Sequence, residues 1–196
     1  MPNGDKIRIV PYDATYQAQV LELAHEMHAE SVTHANMPMD DAKLIQQMEM
    51  SGKMPDSVYL RLAVLGEDVL GGFFGIISTT FFSQSPACKD MAWFVRKDRR
   101  GSLAAVKLLA DFEQWGLDRG VLDFYLGQTT GVQIEATMKL YEHLGYQVVG
   151  VNTYKRARMI NEVKETQPCA PARNPQLREQ QKEQQTSQQQ QEPRAA

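Results

Sequence analysis

The chain has 196 residues, 42% of them hydrophobic, and 24 Asp and Glu against 21 Lys and Arg give a net charge of −3. This length and apolar content suit one globular domain with a single sizeable core, and the acidic balance argues against nucleic acid as the main ligand. Two cysteines exclude a disulfide framework, and no stretch reaches the ~20 apolar residues of a membrane span.

The two ends of the chain differ from its body. Residues 1–13, MPNGDKIRIVPYD, lack the apolar run of a signal peptide, so we expect a cytoplasmic protein. Residues 167–196 hold ten Gln and four Pro but few apolar side chains, too few to offset the entropy of ordering. Four basic and three acidic residues give this end a charge of +1, which leaves −4 on the rest. We therefore predict a domain over residues 1–160 and a disordered Gln/Pro-rich tail over residues 161–196.

The first third of the chain predicts a strand and two helices. Residues 6–10 alternate polar and apolar side chains, and Pro11 ends this strand. Asp13 can cap a helix, and a turn-like, Met-rich segment over residues 31–41 leads to a second helix that Asp40 or Asp41 can cap. The first helix has one apolar stripe, formed by Tyr16, Val20, Leu23 and Met27.

The middle of the chain predicts three strands and a long helix. Residues 59–65 and 69–82 are rich in β-branched and aromatic side chains and flank the turn Gly66-Glu67-Asp68, the pattern of a hairpin. Residues 91–95 form the next strand. The helix that follows ends near Gly116 or Gly120, and its apolar face comprises Ala105, Leu108, Leu109, Phe112 and Trp115.

The last elements are a strand, a helix and a strand. Residues 122–126 form the first strand, Thr129 or Thr130 can cap the helix, and Gly145 suits its left-handed end. Residues 146–154 then return as a strand. Hairpins beside helical crossovers predict a mixed α+β fold with helices on both faces of the sheet.

A basic turn, VRKDRRGS, joins the strand at residues 91–95 to the long helix. Such a turn points the first unpaired N–H groups of a helix at one place. Gly101 and Ser102 allow an anion to approach closely, and Arg99 and Arg100 supply donors suited to phosphate oxygens. Neither a Walker loop nor a GxGxxG turn is present. The turn is a candidate phosphate site, or else a solvated basic turn before an ordinary helix.

The turn and a later motif together resemble the GCN5-related N-acetyltransferases, the GNAT superfamily, over residues 6–157. The family's pyrophosphate loop reads R/Q-x-x-G-x-G/A; here it is RGSLAA, with Leu103 at the position of the inner glycine. The resemblance implies acetyl-CoA as the coenzyme. It assigns coenzyme binding to Trp93, Phe94, Val95, Arg99, Arg100, Gly101, Ser102, Leu103, Ala104 and Ala105.

The later motif is LYEHLGY, residues 140–146, which resembles the family's LYEKLGF. Ile134 and Thr137 stand where the family usually has Asn and Ala, so the match covers the end of the helix only. The form RGSLAA, together with HAES at residues 28–31, is most similar to acetyltransferases encoded by bacteriophages, which implies the host cytoplasm.

The resemblance also implies a three-layer fold with a mixed, mostly antiparallel central sheet. In this family the fourth and fifth strands splay apart, and the pantetheine arm lies between them as an added strand. A bulge in the fourth strand frees a backbone N–H for the thioester oxygen.

Acetyl transfer to an amine needs two proton transfers. The departing thiolate, with a thiol pKa of about 8.5, can be protonated by a phenol of pKa about 10, which makes Tyr141 the candidate general acid. The amine must lose a proton, directly or through water, and Asp90 at the start of the fourth strand and Glu30 are the candidate bases. Glu30, Ser31 and His34 form the predicted acceptor rim. As alternatives, Tyr141 packs in the core and the carboxylates are solvated surface groups.

The acceptor stays open between a small amine, an aminoglycoside, a protein N-terminus and a lysine side chain. We expect a monomer or homodimer that uses no metal, because His25 and His28 lack the partners of a metal site, and that binds neither nucleic acid nor membrane. Two other functions agree with the sequence. The domain could bind CoA without turnover and act as a protein-interaction module, for instance on a host protein. The Gln-rich tail could be an interaction arm or a spacer.

Overall fold

A computed structural model describes residues 6–156. Contacts divide the chain into one unit, Met1–Tyr154, and a second, Lys155–Ala196. The predicted tail over residues 161–196 lies outside the described residues, so its boundary and its disorder stay predictions. Within residues 6–156, no helix has the length and apolar character needed to cross a bilayer.

Five strands and four α-helices make up the described part of the chain. The strands are β1 (Arg8–Pro11), β2 (Val58–Leu65), β3 (Asp68–Thr79), β4 (Pro86–Val95) and β5 (Asp123–Tyr125). The helices are α1 (Gln17–Glu30), α2 (Asp41–Lys53), α3 (Ala104–Leu117) and α4 (Ile134–His143). Short 3-10 turns, Ala14–Tyr16 and Lys97–Arg99, precede α1 and α3.

Three of the predicted helix ends are confirmed. Asp13 accepts the N–H of Thr15 at 2.9 Å in the turn that leads into α1, and Asp40 accepts the N–H of Lys43 at 3.0 Å to begin α2. Gly145 follows α4 with a φ of +88°, the left-handed conformation that commonly ends a helix.

The sheet has the order β1-β2-β3-β4-β5, antiparallel except between β4 and β5. The parallel pair is short: it joins Ala87, Cys88 and Lys89 of β4 to the three residues of β5. Beyond Lys89, β4 continues to Val95 while no described strand pairs with that side of it. The mixed, mostly antiparallel sheet and the splay of its fourth and fifth strands are as expected.

Each face of the sheet carries its own core, because side chains alternate along the strands. On one face, Leu60 and Leu62 of β2 pack with Val20 and Leu23 of α1 and Met48 of α2. On the other face, α3 covers an aromatic cluster in which the rings of Phe73 and Phe112 stack with centroids 4.3 Å apart. The result is the expected three-layer arrangement, helices, sheet and helix.

The predicted last strand, residues 146–154, is wrong: these residues form no strand. Val148, Val149 and Val151 are 67, 86 and 87% exposed, so their β-branched side chains lack the packing against neighbouring strands that gives such residues their preference for strands. At the beginning of this segment, Tyr146 is anchored to α3, because its hydroxyl donates to Glu113 Oε1 at 2.7 Å.

The predicted cap of α4 is also wrong. The helix begins at Ile134, with Gln133 before it in a left-handed conformation, φ +48°, and no side-chain cap. The side chain of Thr130 instead bonds within the loop: its hydroxyl donates to Gln128 Oε1 and accepts the N–H of Val132.

The observed bounds of β3 and β4 differ from the predicted ones around the turn that joins them. β4 begins at Pro86, so Asp90 lies inside the strand and does not open it. The buried Ala87 and Cys88 anchor this early start, although Pro, Lys and Asp are poor strand formers. β3 ends at Thr79, three residues before its predicted end.

Gly75→Ala should lower the free energy of unfolding by about 1 to 3 kcal/mol. A Cβ at Gly75 would stand 2.4 Å from Phe112 Cε2, so the ring of a core residue must move. Chemical unfolding measures the change. Gly52→Ala in α2 is the matched control, because a Cβ there meets nothing within 4 Å, and it should be neutral or stabilising. Similar results for the two variants would contradict this packing of α3 on the sheet.

Candidate active site

The fourth strand carries a β-bulge at the point where it separates from β5. Phe74 and Gly75 are adjacent in β3, whereas their partners in β4 are Ala92 and Asp90. Met91 is therefore an extra residue in β4. A bulge leaves its extra residue outside the ladder and bends the strand. The bulge implied by the family resemblance is present in this chain.

The turn after β4 presents the beginning of α3. Gly101 is left-handed, with a φ of +82° and open space where a Cβ would stand. The N–H of Lys107 bonds back to Leu103 O at 2.9 Å. The preceding N–H groups, of Ala105 and Val106, have no hydrogen bond among the described residues, and both residues line a cleft. Free N–H groups at the positive end of the helix dipole favour an anion.

One cleft of about 500 Å³ joins the bulge, the beginning of α3 and the end of α1. Small-molecule sites typically have volumes of roughly 300 to 1,000 Å³. The cleft brings together most residues that the sequence assigns to the site. They are Glu30, His34, Asp90, Trp93, Phe94, Val95, Arg100, Gly101, Ser102, Leu103, Ala105 and Tyr141.

The other three predicted residues do not line this cleft. Arg99 is exposed, and its Nε lies 3.5 Å from Asp98 Oδ2. Ala104 is fully buried, with its side chain in the core beneath α3. Ser31 is only 2% exposed, and its hydroxyl lies 2.8 Å from His34 Nδ1, so it holds His34 in place.

Arg100, predicted to donate to phosphate, is already engaged by two protein groups. Its Nη2 lies 2.7 Å from Glu30 Oε2, and its Nε donates to the carbonyl oxygen of Val95 at 3.2 Å. The two charged side chains are 22 and 20% exposed, so water screens the ion pair only in part. The pair joins the turn before α3 to the end of α1.

Asp90 lies at the bulge, and its Oδ1 accepts the N–H of Gly127 at 2.9 Å. This bond joins β4 to the loop after β5. Burial raises the pKa of Asp90 to about 6, and the hydrogen bond from Gly127 opposes the rise. A carboxylate with a pKa close to neutral is well matched to accept a proton at physiological pH.

Tyr141 of α4 lines the same cleft. Its ring stacks on Trp93 with centroids 5.8 Å apart, and the residue is 6% exposed. Its hydroxyl makes no hydrogen bond to another residue in the described part of the chain. Burial raises the pKa of Tyr141 above its ordinary value, and the charge of Asp90 raises it further. The phenol therefore stays protonated at neutral pH with its proton free for a ligand.

A loop between β5 and α4 forms a wall of the cleft that the sequence does not assign to the site. Two hydrogen bonds fix it to the turn after α1: Val32 N–H donates to Thr130 O at 2.8 Å, and the Thr33 hydroxyl donates to Thr129 O at 2.9 Å. The pattern GQTTGVQ indicates a loop but not its direction. The loop residues that line the cleft are Gly127, Gln128, Thr129, Thr130, Val132 and Gln133.

The cleft combines an unpaired strand edge, free helix N–H groups, a proton acceptor and a proton donor. It can bind an extended anionic molecule along β4 and exchange protons with a group held near the bulge. Within residues 6–156, no cluster of three or more His, Cys, Asp and Glu is placed to hold a metal ion.

Comparisons with known proteins bear on the fold. No protein-family model and no curated protein sequence matches the chain. Among solved structures, the aminoglycoside N-acetyltransferase AAC(6')-Iy in complex with CoA matches with a TM-score of 0.63 and 17% identity. That match covers 81% of this chain and 99% of the enzyme.

Two further acetyltransferases have similar structures. The aminoglycoside 6'-N-acetyltransferase AAC(6')-IG from Acinetobacter haemolyticus matches with a TM-score of 0.58 and 16% identity, over 78% of this chain and 99% of the enzyme. The ribosomal-protein-alanine N-acetyltransferase from Brucella melitensis matches with a TM-score of 0.59 and 15% identity, over 78% of this chain and 100% of the enzyme. The fold of this chain is thus the acetyltransferase fold that the resemblance implies.

Asp90→Asn should raise the free energy of unfolding near pH 7 by about 1 to 3 kcal/mol, because it removes a buried charge. Between the ordinary pKa of 3.8 and the raised value of about 6, the folded state keeps a proton that the unfolded state has released. The stability that Asp90 contributes therefore falls as pH rises through this window. Chemical unfolding across the window should show the gain growing with pH.

The control for this series is Asp123→Asn, which removes an exposed carboxylate from β5. It should leave the pH dependence of unfolding almost unchanged. A gain for Asp90→Asn that does not vary with pH would contradict the raised pKa.

Proposed function

We propose that the chain is an acetyl-CoA-dependent N-acetyltransferase that acts on a primary amine. One observation carries this proposal: the unpaired edge of β4, its bulge at Met91 and the free N–H groups of Ala105 and Val106 share one cleft. A pantetheine arm needs backbone partners along a strand edge, and a pyrophosphate needs donors at a helix N-terminus. The CoA complex of AAC(6')-Iy, which has this fold, supports the proposal.

The residues of the cleft divide the chemistry among them. The amine nitrogen attacks the thioester carbonyl carbon, so that a C–N bond forms and the C–S bond breaks. Asp90 takes the amine proton, directly or through water, and Glu30 is the second candidate base. Tyr141 gives its phenolic proton to the departing thiolate sulfur. A backbone N–H freed by the bulge at Met91 donates to the carbonyl oxygen as charge develops there.

The acceptor side of the cleft favours a cationic amine, because Asp90 and Glu30 both line it. A metagenomic aminoglycoside acetyltransferase of this fold is complexed with sisomicin, which supports a small-molecule amine. The Brucella enzyme's name supports a protein amine equally. A cytoplasmic location, a monomeric or homodimeric state, a host-protein target and the likeness to bacteriophage enzymes stay predictions.

Acetyl-CoA and CoA should raise the melting temperature by mass action, by roughly 5 to 10 °C at a ligand concentration near 100 Kd. NAD and ATP should not, since neither has a pantetheine arm to pair with β4. Thermal unfolding with each ligand measures this. An equal shift with ATP would mean that the cleft recognises phosphates alone and would contradict the proposal.

An assay for free CoA thiol distinguishes a transferase from a protein-interaction module. Acetyl-CoA is incubated with each member of a panel of amines that includes sisomicin and peptide N-termini. Thiol release that depends on an amine supports the transferase. Tight binding of CoA without release from any amine would favour the protein-interaction module.

Tyr141→Phe should lower kcat by about 100- to 10,000-fold with little change in the KM for acetyl-CoA, because it removes the proton donor and keeps the ring on Trp93. Steady-state kinetics with the best amine of the panel measures this. Because burial raises the pKa of Tyr141, the alkaline limb of the wild-type kcat profile should lie above pH 10 and vanish in the variant.

Tyr146→Phe is the matched control for this substitution. It removes a phenolic hydroxyl that donates to Glu113 outside the cleft. The free energy of unfolding should fall by about 1 to 2 kcal/mol, whereas kcat should stay close to the wild-type value. Full activity of Tyr141→Phe would show that another group protonates the thiolate.

A further inference from the structure

The ion pair between Arg100 and Glu30 lies between the two binding regions of the cleft. Arg100 belongs to the turn that presents the free N–H groups of α3, and Glu30 is the last residue of α1, followed by the turn that carries His34. Both charged side chains line the cleft and are about four-fifths buried. At 2.7 Å, Glu30 cancels much of the positive potential that would attract a phosphate to Arg100.

A phosphate that contacts the Nε/Nη2 edge of Arg100 competes with the Glu30 carboxylate. Of the five N–H donors of the guanidinium, the one on Nε bonds to the Val95 carbonyl and one on Nη2 to Glu30, so a bidentate contact through this edge displaces both partners. A phosphate bound at this turn would also stand near the carboxylate and repel it. Once displaced, the largely buried Glu30 carboxylate lacks a cation, and a cationic amine can take the place of Arg100.

We propose that the Arg100–Glu30 pair couples the two substrates: the coenzyme takes Arg100 from Glu30, and Glu30 then binds the ammonium group of the acceptor. The inference rests on the proposed function, since it takes coenzyme phosphate as the competitor for Arg100. It gives Glu30 a role in binding the acceptor and makes binding of the two substrates mutually reinforcing, because linkage between two sites is reciprocal. Before the coenzyme arrives, the pair keeps the acceptor carboxylate neutralised.

Calorimetric titration with CoA alone tests the competition. Glu30→Gln removes the competitor while Gln keeps nearly the same size, so the variant should bind CoA on the order of 10-fold more tightly than the wild type. Arg100→Ala should bind CoA more weakly, by roughly 10- to 100-fold. In the double variant the gain from Glu30→Gln should largely disappear, because the two residues act through one contact.

Glu26→Gln is the matched control, because Glu26 lies one turn earlier on α1 and its Oε1 accepts the N–H of Lys97 at 3.0 Å. It changes the net charge equally but leaves Arg100 paired, so it should not tighten CoA binding comparably. Equal tightening of CoA binding by Glu26→Gln and Glu30→Gln would show that the net charge alone determines the affinity, and would overturn the coupling.

Two further outcomes distinguish a failure of the coupling from a failure of the proposed function. If the wild type binds CoA and Glu30→Gln binds it equally or more weakly, Glu30 supports the phosphate contact of Arg100, and only the coupling is overturned. If the wild type does not bind CoA, the proposed function itself is overturned, and the coupling with it.

Discussion

Backbone hydrogen bonding along β4 determines where the site lies. Its inner side pairs with β3 from Pro86 to Val95 at every residue except Met91, whereas its outer side pairs with β5 at only three residues. The bulge at Met91 bends the strand just after that pairing ends. Because an unpaired strand edge presents a row of free N–H and C=O groups, the remaining edge favours an extended ligand that pairs with them. The end of this edge leads into the turn of Gly101, so a ligand that follows β4 reaches the free N–H groups of α3.

The charges of the cleft are arranged around that edge. Asp90 at the bulge is held by Gly127, and burial raises its pKa to about 6. Burial, together with the smaller effect of the Asp90 charge, raises the pKa of Tyr141, so the phenol stays protonated. Burial raises both pKa values: that of Asp90 comes closer to neutral, where a carboxylate can accept a proton, and that of Tyr141 moves further above neutral, so the phenol keeps the proton that it can donate. At the other end of the cleft, Glu30 and Arg100 neutralise each other until a ligand separates them.

The sequence predicts the regular parts of this structure well, because they depend on local patterns. The caps at Asp13 and Asp40, the hairpin and the α3 stripe follow from spacing and residue type. The place of the turn before α3 and of Tyr141 in one cleft follows from motifs. The predicted last strand at residues 146–154 shows the limit, because β propensity depends on packing against neighbouring strands, and the valines of this segment are exposed.

Contacts between particular residues of distant segments could not be predicted. The family resemblance implies a bulge in the fourth strand, but its position at Met91 is a register shift against β3 that no local pattern marks. The wall after β5 is fixed by bonds to the turn after α1, and the pairing of Arg100 with Glu30 joins residues 70 positions apart. Ser31 illustrates the same limit, because its position on the predicted rim did not reveal that its side chain is buried beneath His34. Such contacts depend on how distant elements pack together, and the sequence of a single segment does not determine that packing.

In the proposed function, an acyl coenzyme binds as an added strand on the free edge of β4. Hydrogen–deuterium exchange with and without acetyl-CoA can locate this contact, because it reports on individual backbone amides. We expect acetyl-CoA to slow exchange within residues 91–95 and at Ala105 and Val106. Unchanged exchange in β4, with slowing confined to another part of the chain such as the outer side of β5, would contradict it.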